Sequence, residues 1–107
     1  GENIADLGGL NVAYDALQTA LKNHPEEANK KIDGYTEDQR FFLNWARVWR
    51  GSMREKTSIV RLNTDPHAPM ALRATAAPSN MPEFAKAFQC KPGDTMVRPA
   101  DTQVKIW

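Results

Sequence analysis

Apolar residues recur at every third or fourth position over the first fifth of the chain, between Ile4 and Leu21. This spacing places them on one face of a helix and predicts an amphipathic α-helix. The helix is expected to end before Pro25, which cannot continue it. The apolar face consists of Ile4, Leu7, Leu10, Tyr14, Leu17 and Leu21.

Two adjacent glycines, Gly8 and Gly9, lie inside this predicted helix. Each glycine costs a helix about 1 kcal/mol relative to alanine, so the pair is unfavourable on local grounds. We therefore expect another backbone to pack closely against this part of the helix.

A second helical pattern follows a capping signal. Thr36 is a good N-cap residue, and Gln39, three positions later, completes a capping box. Gly51 fits the position where the helix would stop. The apolar face between them is wide, so we expect this helix to be buried between other elements. It consists of Phe41, Phe42, Trp45, Val48 and Trp49.

Two shorter helices are predicted further along the chain. One covers residues 54–63, with Ile59 and Leu62 turned inward. The other lies within residues 81–88, where Pro82 suits the first helical turn. Asn80 and Glu83 are interpreted as the cap of this second helix.

Residues 91–107 are interpreted as a loop followed by a short extended end. No repeat or linker divides the sequence. The prediction is a mainly α-helical fold with long loops and little strand, organised as one unit over residues 1–107.

Composition and charge exclude several classes of function. The 14 Lys and Arg residues against 13 Asp and Glu give a net charge of +1, so electrostatics favour neither nucleic acid nor an anionic membrane as a partner. No apolar run approaches the roughly 20 residues of a transmembrane helix, and no signal-peptide pattern occurs. Cys90 is the single cysteine, so it is a buried or free thiol unless it pairs outside this chain.

The two ends of the chain differ in pattern. The sequence begins inside the first predicted helix, whereas "TQVKIW" alternates polar and apolar residues and stops on Trp107. This asymmetry leads us to expect a fragment whose front part is absent.

Two acids near the start are the first candidates for chemistry. Glu2 and Asp6 are one helical turn apart, so a helix directs both side chains to the same place. Three interpretations are open at this point: a metal site, a proton-transfer site, or a solvated ladder of salt bridges. The pair lies at the edge of the apolar face, where acids usually have a partner because an unpaired buried charge is costly.

A second candidate cluster is "DPHAPMALR", which contains Asp65, His67 and Arg73. Pro66 and Pro69 stiffen the chain around the histidine. A fixed histidine beside a fixed arginine could stabilise an oxyanion and hold a carbonyl group. From spacing alone a purely structural histidine remains the more common alternative.

Other catalytic templates are missing from the sequence. It contains no CxxC, GxGxxG, P-loop, GxSxG or HExxH motif. His24 stands beside Pro25 in a polar turn and is expected to lie on the surface.

Several segments resemble one family. "GENIADLGGLNVAY", "FFLNWARVWRG", "RLNTDPHAP…R", "PEFAKAFQC" and the terminal "VKIW" are similar, in the same order, to the neprilysin family of zinc metallopeptidases, which includes the endothelin-converting enzymes and bacterial relatives. The resemblance spans essentially the whole chain. Leu7 stands where many members have Asn.

The resemblance implies a role for each candidate residue. Glu2 matches the third zinc ligand of the ExxxD motif, and Asp6 matches the aspartate that hydrogen-bonds a zinc-binding histidine. His67 matches the histidine that stabilises the tetrahedral intermediate, and Arg73 matches the arginine that holds a substrate backbone carbonyl. Asp65 is expected to support His67. The implied fold is the C-terminal helical subdomain of a zincin-type metallopeptidase.

The resemblance also implies that this chain holds only part of the catalytic site. One Zn²⁺ ion would be held by Glu2 and by two histidines of an HExxH motif upstream of residue 1, whose glutamate is the general base. The expected partners are therefore a peptide substrate and the N-terminal remainder of the protease. Alone, the chain is expected to be inactive.

The incomplete site has further implications. The Phe/Trp-rich helix would be left exposed and would favour self-association of the fragment. Cys90 matches a family cysteine that bonds to an upstream partner. Such a parent enzyme would be periplasmic, secreted or membrane-anchored with an extracellular catalytic part.

Two other interpretations remain open. The chain could be a non-catalytic interaction module on the same scaffold, in a parent that lacks HExxH. It could also be a free-standing helical binding domain, which would be monomeric and melt cooperatively.

Overall fold

Five α-helices account for most of residues 1–106, the part of the chain that the computed structural model describes. Trp107, predicted to close an extended end, lies outside the described residues. Within them the only pairing of β type is an isolated bridge between Ile32 and Tyr35, so the mainly α-helical prediction is confirmed. The helices are α1 (Glu2–Asn23), α2 (Glu37–Val48), α3 (Glu55–Thr64), α4 (Met70–Ser79) and α5 (Pro82–Ala87), and a 3₁₀ turn covers Ala100–Thr102.

The first helix follows the sequence pattern. α1 ends before Pro25, and the backbone N–H of His24 donates to the carbonyl of Ala20 as the last turn closes. Leu7, Gly8 and Leu10 are buried. The glycine pair was expected to pack closely against another backbone, and this is wrong for Gly9. Among residues 1–106, no atom lies within 4 Å of a Cβ added at that position.

The second helix begins with the predicted capping box. The backbone N–H of Gln39 donates to the Thr36 hydroxyl at 3.3 Å, and the backbone N–H of Thr36 donates to the Gln39 side chain at 3.0 Å. The helix is covered on one side only: Phe42 is 2% exposed, whereas Val48 is 65% exposed. The prediction that α2 is buried between other elements is therefore wrong for the described residues.

Gly51 does not serve as the helix stop that the sequence suggested. α2 ends at Val48 and is capped by Trp49, one residue earlier than a glycine stop at position 51 requires. A Cβ at Gly51 would instead stand 2.7 Å from Sδ of Met70. The glycine leaves room for the first residue of α4.

The core lies where α1, α2, α4 and α5 meet. An aromatic cluster surrounds Phe42, whose ring is 5.8 Å from that of Tyr14, 5.2 Å from Phe41 and 5.3 Å from Phe84 between centroids. The buried apolar residues are Leu7, Leu10, Phe42, Ala77 and Met81. This core fixes α1 against α4, the two helices that carry the candidate acids and Arg73.

The third helix does not bury the apolar face that was predicted to point inward, and none of its residues is buried. Ile59 and Leu62 were expected to point inward but are 54% and 64% exposed. Within residues 1–106 this side of α3 is therefore largely uncovered.

The predicted cap of α5 is also wrong. Met81 is the N-cap residue, without a side-chain hydrogen bond, although Pro82 does occupy the first turn. The buried Asn80 side chain bonds elsewhere: its Oδ1 accepts from the backbone N–H of Val104 at 2.8 Å, and its amide donates to the Val104 carbonyl. Asn80 therefore holds the C-terminal segment against the core.

No helix in the described part of the chain is long and apolar enough to cross a membrane.

Candidate active site

The start of α1 meets the segment that leads into α4. Nε2 of His67 lies 3.1 Å from Oε2 of Glu2, although 65 positions separate the two residues in the sequence. The two side chains are 43% and 44% exposed, so this contact is open to a ligand from outside. Glu2 lies in the first turn of the helix, where the helix dipole favours negative charge.

Asp6 lies one turn further along α1 and is bound by Arg73 of α4. Nε of Arg73 donates to Oδ2 of Asp6 at 2.7 Å, and Nη2 donates to Oδ1 at 2.7 Å. This is the bidentate geometry in which arginine binds carboxylates most strongly. The two side chains are only 13% and 11% exposed, and hydrogen bonding to Asp6 raises the pKa of Arg73. The guanidinium is therefore held as a cation.

Asp65 holds His67 from the opposite side. Its Oδ1 accepts the backbone N–H of His67 at 2.9 Å and lies 2.7 Å from Nδ1 of the ring. These hydrogen bonds from His67 lower the pKa of the Asp65 carboxyl. Because ionised carboxylates only accept hydrogen bonds, the ring can donate to both Asp65 and Glu2 only when both of its nitrogens are protonated.

Two tryptophans complete the surroundings of Arg73: Trp45 lies on α2, and Trp49 caps its C-terminal end. Cζ of Arg73 lies 3.8 Å from the centroid of the Trp49 ring. Nε1 of Trp45 donates to the main-chain carbonyl of Arg73 at 3.1 Å. The sequence placed both residues in a hydrophobic face and missed these contacts. Their i, i+4 spacing predicts that they lie on the same side of the chain if it is helical, but not that this side meets an arginine.

A cavity of about 320 Å³ adjoins this cluster. Its mixed lining combines apolar side chains with the charged groups described above. The lining includes Trp49, Met53, Leu62, His67, Met70 and Arg73.

The site residues that the sequence predicted are thus brought together: Glu2 contacts His67, and Asp6 contacts Arg73. Outside the site, His24 is exposed, as expected. Cys90 is a half-buried free thiol in this structure, and its pairing with an upstream cysteine stays a prediction.

The donor set allows only part of a metal site. Within residues 1–106, no group of three or more His, Cys, Asp or Glu residues could hold a metal ion. Catalytic zinc is usually bound by three protein ligands from His, Glu, Asp or Cys. Glu2, with a carboxylate that is 44% exposed, fits one of those three positions.

Comparison with known proteins identifies the family. The family model for peptidase family M13 matches residues 1–104. The chain belongs to peptidase family M13. This confirms the resemblance that the sequence motifs indicated.

Relatives in this M13 family include neprilysins and endothelin-converting enzymes. The chain is 44% identical over its full length to neprilysin-2 of Caenorhabditis elegans, and 44% identical to neprilysin-3 of Drosophila melanogaster. It is 41% identical, over 97% of its length, to human endothelin-converting enzyme 1. It spans 14% of the length of each of these relatives.

Solved M13 structures confirm the fold. The cryo-EM structure of the Mycobacterium tuberculosis zinc metalloprotease Zmp1 in its open state matches the whole chain with a TM-score of 0.91 and 38% identity. The crystal structure of Zmp1 with an inhibitor matches equally well. The chain covers 16% of Zmp1 in both.

Proposed function

We propose that this chain is the C-terminal part of the catalytic domain of a zinc-dependent endopeptidase that hydrolyses peptide bonds in small peptides. The observation that carries the proposal is the convergence of Glu2, Asp6, His67 and Arg73 in one site, from two segments that are far apart in the sequence. Membership of family M13 and likeness to a zinc metalloprotease over the whole chain support it. On its own the chain would be inactive.

Glu2 is proposed as one of three zinc ligands. The other two would be histidines of an HExxH motif, which lies upstream in the parent protein and is absent from this sequence. When bound in such a site, a single zinc ion lowers the pKa of a coordinated water and polarises the scissile carbonyl. The glutamate of the same motif would be the general base.

Asp6 is proposed to orient a zinc-binding histidine. A carboxylate offers about four acceptor positions, and Arg73 occupies one on each oxygen. The remaining positions are available to an imidazole N–H, which would fix the ring of that histidine toward the metal. The bidentate pair with Arg73 holds the Asp6 carboxylate in place for that task.

His67 is proposed to stabilise the oxyanion of the tetrahedral intermediate. Asp65 holds the backbone and Nδ1 of His67, so Nε2 is directed to the Glu2 carboxylate. A proton on Nε2 would then lie beside the proposed zinc ligand, and it could be donated in a hydrogen bond to an oxyanion that develops there.

Arg73 is proposed to hold a backbone carbonyl of the substrate. Asp6 uses two of its five N–H donors, both on the Nε–Nη2 edge. The outer edge, formed by Nη1 and the second hydrogen of Nη2, remains for the peptide. The cavity of about 320 Å³, which Arg73 helps to line, provides room for an adjoining substrate segment.

The test uses the full-length parent protein, with zinc content and peptide cleavage measured together. Glu2→Val should abolish zinc retention, because two histidines alone make a poor site. Asp6→Ala should reduce activity and zinc affinity by about 10- to 100-fold. His67→Ala and Arg73→Ala should lower turnover by about 100-fold or more while zinc content stays normal.

Asp15→Ala is the matched control, since Asp15 is an exposed acid on the same helix. It should change neither zinc content nor cleavage. Normal zinc content and turnover after replacement of Glu2 would refute the proposal. A parent without HExxH would indicate the non-catalytic module instead.

The partners and location of the parent follow from the same proposal. The N-terminal remainder of the protease would cover the face of this chain that carries Glu2 and His67. The parent would act in the periplasm or outside the cell, either secreted or anchored in a membrane, where Cys90 could form its expected disulfide.

A further inference from the structure

Arg73 is held at both ends by tryptophans, Trp45 of α2 and Trp49, the residue that caps the end of this helix. The indole N–H of Trp45 donates to the main-chain carbonyl of Arg73 at 3.1 Å. The ring of Trp49 covers the guanidinium, with Cζ at 3.8 Å from the ring centroid. The two indoles contact each other edge to face, at 5.7 Å between centroids and 70° between planes.

We propose that Trp49 is a positioning residue for Arg73: its ring fixes the plane of the guanidinium so that the outer edge stays directed at the substrate carbonyl. The inference rests on the role proposed above for Arg73. It assigns to Trp49 a part in the reaction that goes beyond packing.

Asp6 alone does not fix that plane. Two hydrogen bonds to one edge of the guanidinium set the direction of that edge, but the group can still tilt about the line that joins them. A ring at 3.8 Å over one face opposes the tilt, because the attraction depends on the cation lying over the π system. The side chain is only 13% exposed, and cation–π attraction is stronger where water is excluded.

The Trp49 side chain contributes its ring face and not a hydrogen bond. Its Nε1 is buried, yet it has no hydrogen-bond partner among residues 1–106. An apolar side chain of similar volume would fill the same space without that unpaired group. We therefore attribute the indole at this position to its contact with the cation.

The outer edge of Arg73 is the part that this arrangement keeps available. The hydrogen bonds of its side chain within the described residues are the two to Asp6. Arg73 and Trp49 both line the cavity of about 320 Å³. A substrate in that cavity would meet a guanidinium whose edge is set by Asp6 and whose plane is set by Trp49.

The test is a double-mutant cycle on kcat/KM in the full-length enzyme. Trp49→Met removes the aromatic face at modest change in volume and should lower kcat/KM by about 10-fold, with zinc content unchanged. Trp49→Phe keeps a smaller aromatic face and should lose only about 2- to 3-fold. In an Arg73→Ala background, either change should lower kcat/KM by less than the same change does alone.

Trp45→Phe is the matched control. The indole of Trp45 donates to the main-chain carbonyl of residue 73, and Arg73→Ala retains that carbonyl. Trp45→Phe should therefore change kcat/KM by the same factor with Arg73 present and with Arg73→Ala. Losses from Trp49 and Arg73 that simply multiply in the double variant would overturn this inference alone. If Arg73→Ala left kcat/KM unchanged, the role proposed for Arg73 would fall as well. Should Trp49→Met not fold, Trp49→Phe carries the same comparison.

Discussion

At the scale of single residues, the pair between Asp6 and Arg73 is the strongest polar contact of the site. Both side chains are nearly buried, and both oxygens of the acid accept a hydrogen bond from the guanidinium. Such a pair is costly to break from one side, because the remaining charge is left buried and unpaired. The same pair joins the helix that carries Glu2 to the helix that follows His67.

Asp6→Asn should therefore destabilise the chain by about 3 kcal/mol, since it removes one charge of a nearly buried ion pair. The measurement is urea-induced unfolding at low protein concentration. Asp15→Asn, an exposed change on the same helix, should stay within about 0.5 kcal/mol of the unaltered chain. Equal midpoints for the two variants would contradict the importance of the pair.

Asp65 provides a pH-dependent prediction. Its pKa is lower in the folded chain than the ordinary value of about 3.9, because His67 donates hydrogen bonds to the ionised form. The stabilisation it provides is thus fully present above about pH 4 and is lost as pH falls through the lowered folded pKa. The unfolding midpoint of the unaltered chain should exceed that of Asp65→Asn at about pH 5, where the carboxyl of Asp65 is ionised in both states.

That difference should shrink at more acidic pH, once the carboxyl of Asp65 is protonated in both the folded and the unfolded chain. Asp15→Asn serves again as the control, with no resolved change in its difference from the unaltered chain. A difference between the unaltered chain and Asp65→Asn that grew as the pH was lowered would contradict the assigned direction of the pKa shift.

The sequence could predict half of this residue-scale arrangement. The ExxxD spacing shows that Glu2 and Asp6 share a side of α1, and the two prolines around His67 indicate a fixed loop. It could not predict which acid meets which base, since Asp6 and Arg73 are 67 positions apart and only the packing of α1 on α4 brings them together. The contact of Trp49 with Arg73 could not be predicted from the sequence for the same reason.

At the scale of elements, the glycine pair of α1 separates the low helix propensity of glycine from its use in close packing. Gly8 is buried, whereas a Cβ at Gly9 would have nothing within 4 Å in the described residues. The helix penalty of glycine applies at both positions, but only Gly8 is buried.

Gly9→Ala should therefore stabilise the isolated chain by up to about 1 kcal/mol, the difference in helix propensity between the two residues. Gly8→Ala is the matched comparison, with the same chemical change one position earlier. It should give no gain, because the added methyl must find room in a packed interface. Chemical denaturation of both variants measures the difference, and equal gains would show that neither glycine is required by packing.

The short helix α3 shows that hydrophobic periodicity does not predict what an apolar face packs against. The sequence identified an apolar face containing Ile59 and Leu62 correctly, but the prediction that this face points into the core of the chain is wrong. A hydrophobic period shows that a face is to be covered and says nothing about which part of the protein covers it. Similarly, the position of Asn80 in the sequence suggested a helix cap. Its side chain instead forms hydrogen bonds with the backbone of Val104, 24 positions further along the chain.

At the scale of the whole molecule, the chain is more extended than its length requires. Its radius of gyration is 15.5 Å, whereas a compact domain of this length is expected to have about 13 Å. Many large apolar side chains are also exposed. They include Ile4 and Val12 of α1, Val48 of α2, Ile59, Val60 and Leu62 of α3, and Leu72 of α4.

The exposed apolar residues lie on a different surface from the one that was expected to be uncovered. The sequence indicated the Phe/Trp-rich face of α2, yet Phe42 is buried and Phe41 and Trp45 pack against the core. The exposed apolar residues lie on other faces, chiefly that of α3. We infer that α3, which exposes Ile59, Val60 and Leu62, is one place where this chain would pack against the remainder of an M13 peptidase, since exposed apolar side chains grouped on one element indicate an interface.

The isolated chain should consequently self-associate in a concentration-dependent manner. Sedimentation velocity over a range of concentrations measures the association. Replacing the α3 face with Ile59→Lys and Leu62→Lys should shift the chain toward monomer, because charged side chains cannot be buried against a second copy without a large desolvation cost.

Thr57→Lys with Asn63→Lys is the matched control: it adds the same charge to exposed polar positions of α3 and removes no apolar surface. If charge repulsion alone governed association, both double variants would dissociate equally. Loss of association in the first variant only would identify the apolar face as the contact. A chain that stays monomeric at every concentration and melts cooperatively would instead favour a free-standing helical domain, and the apolar face of α3 would then need no partner.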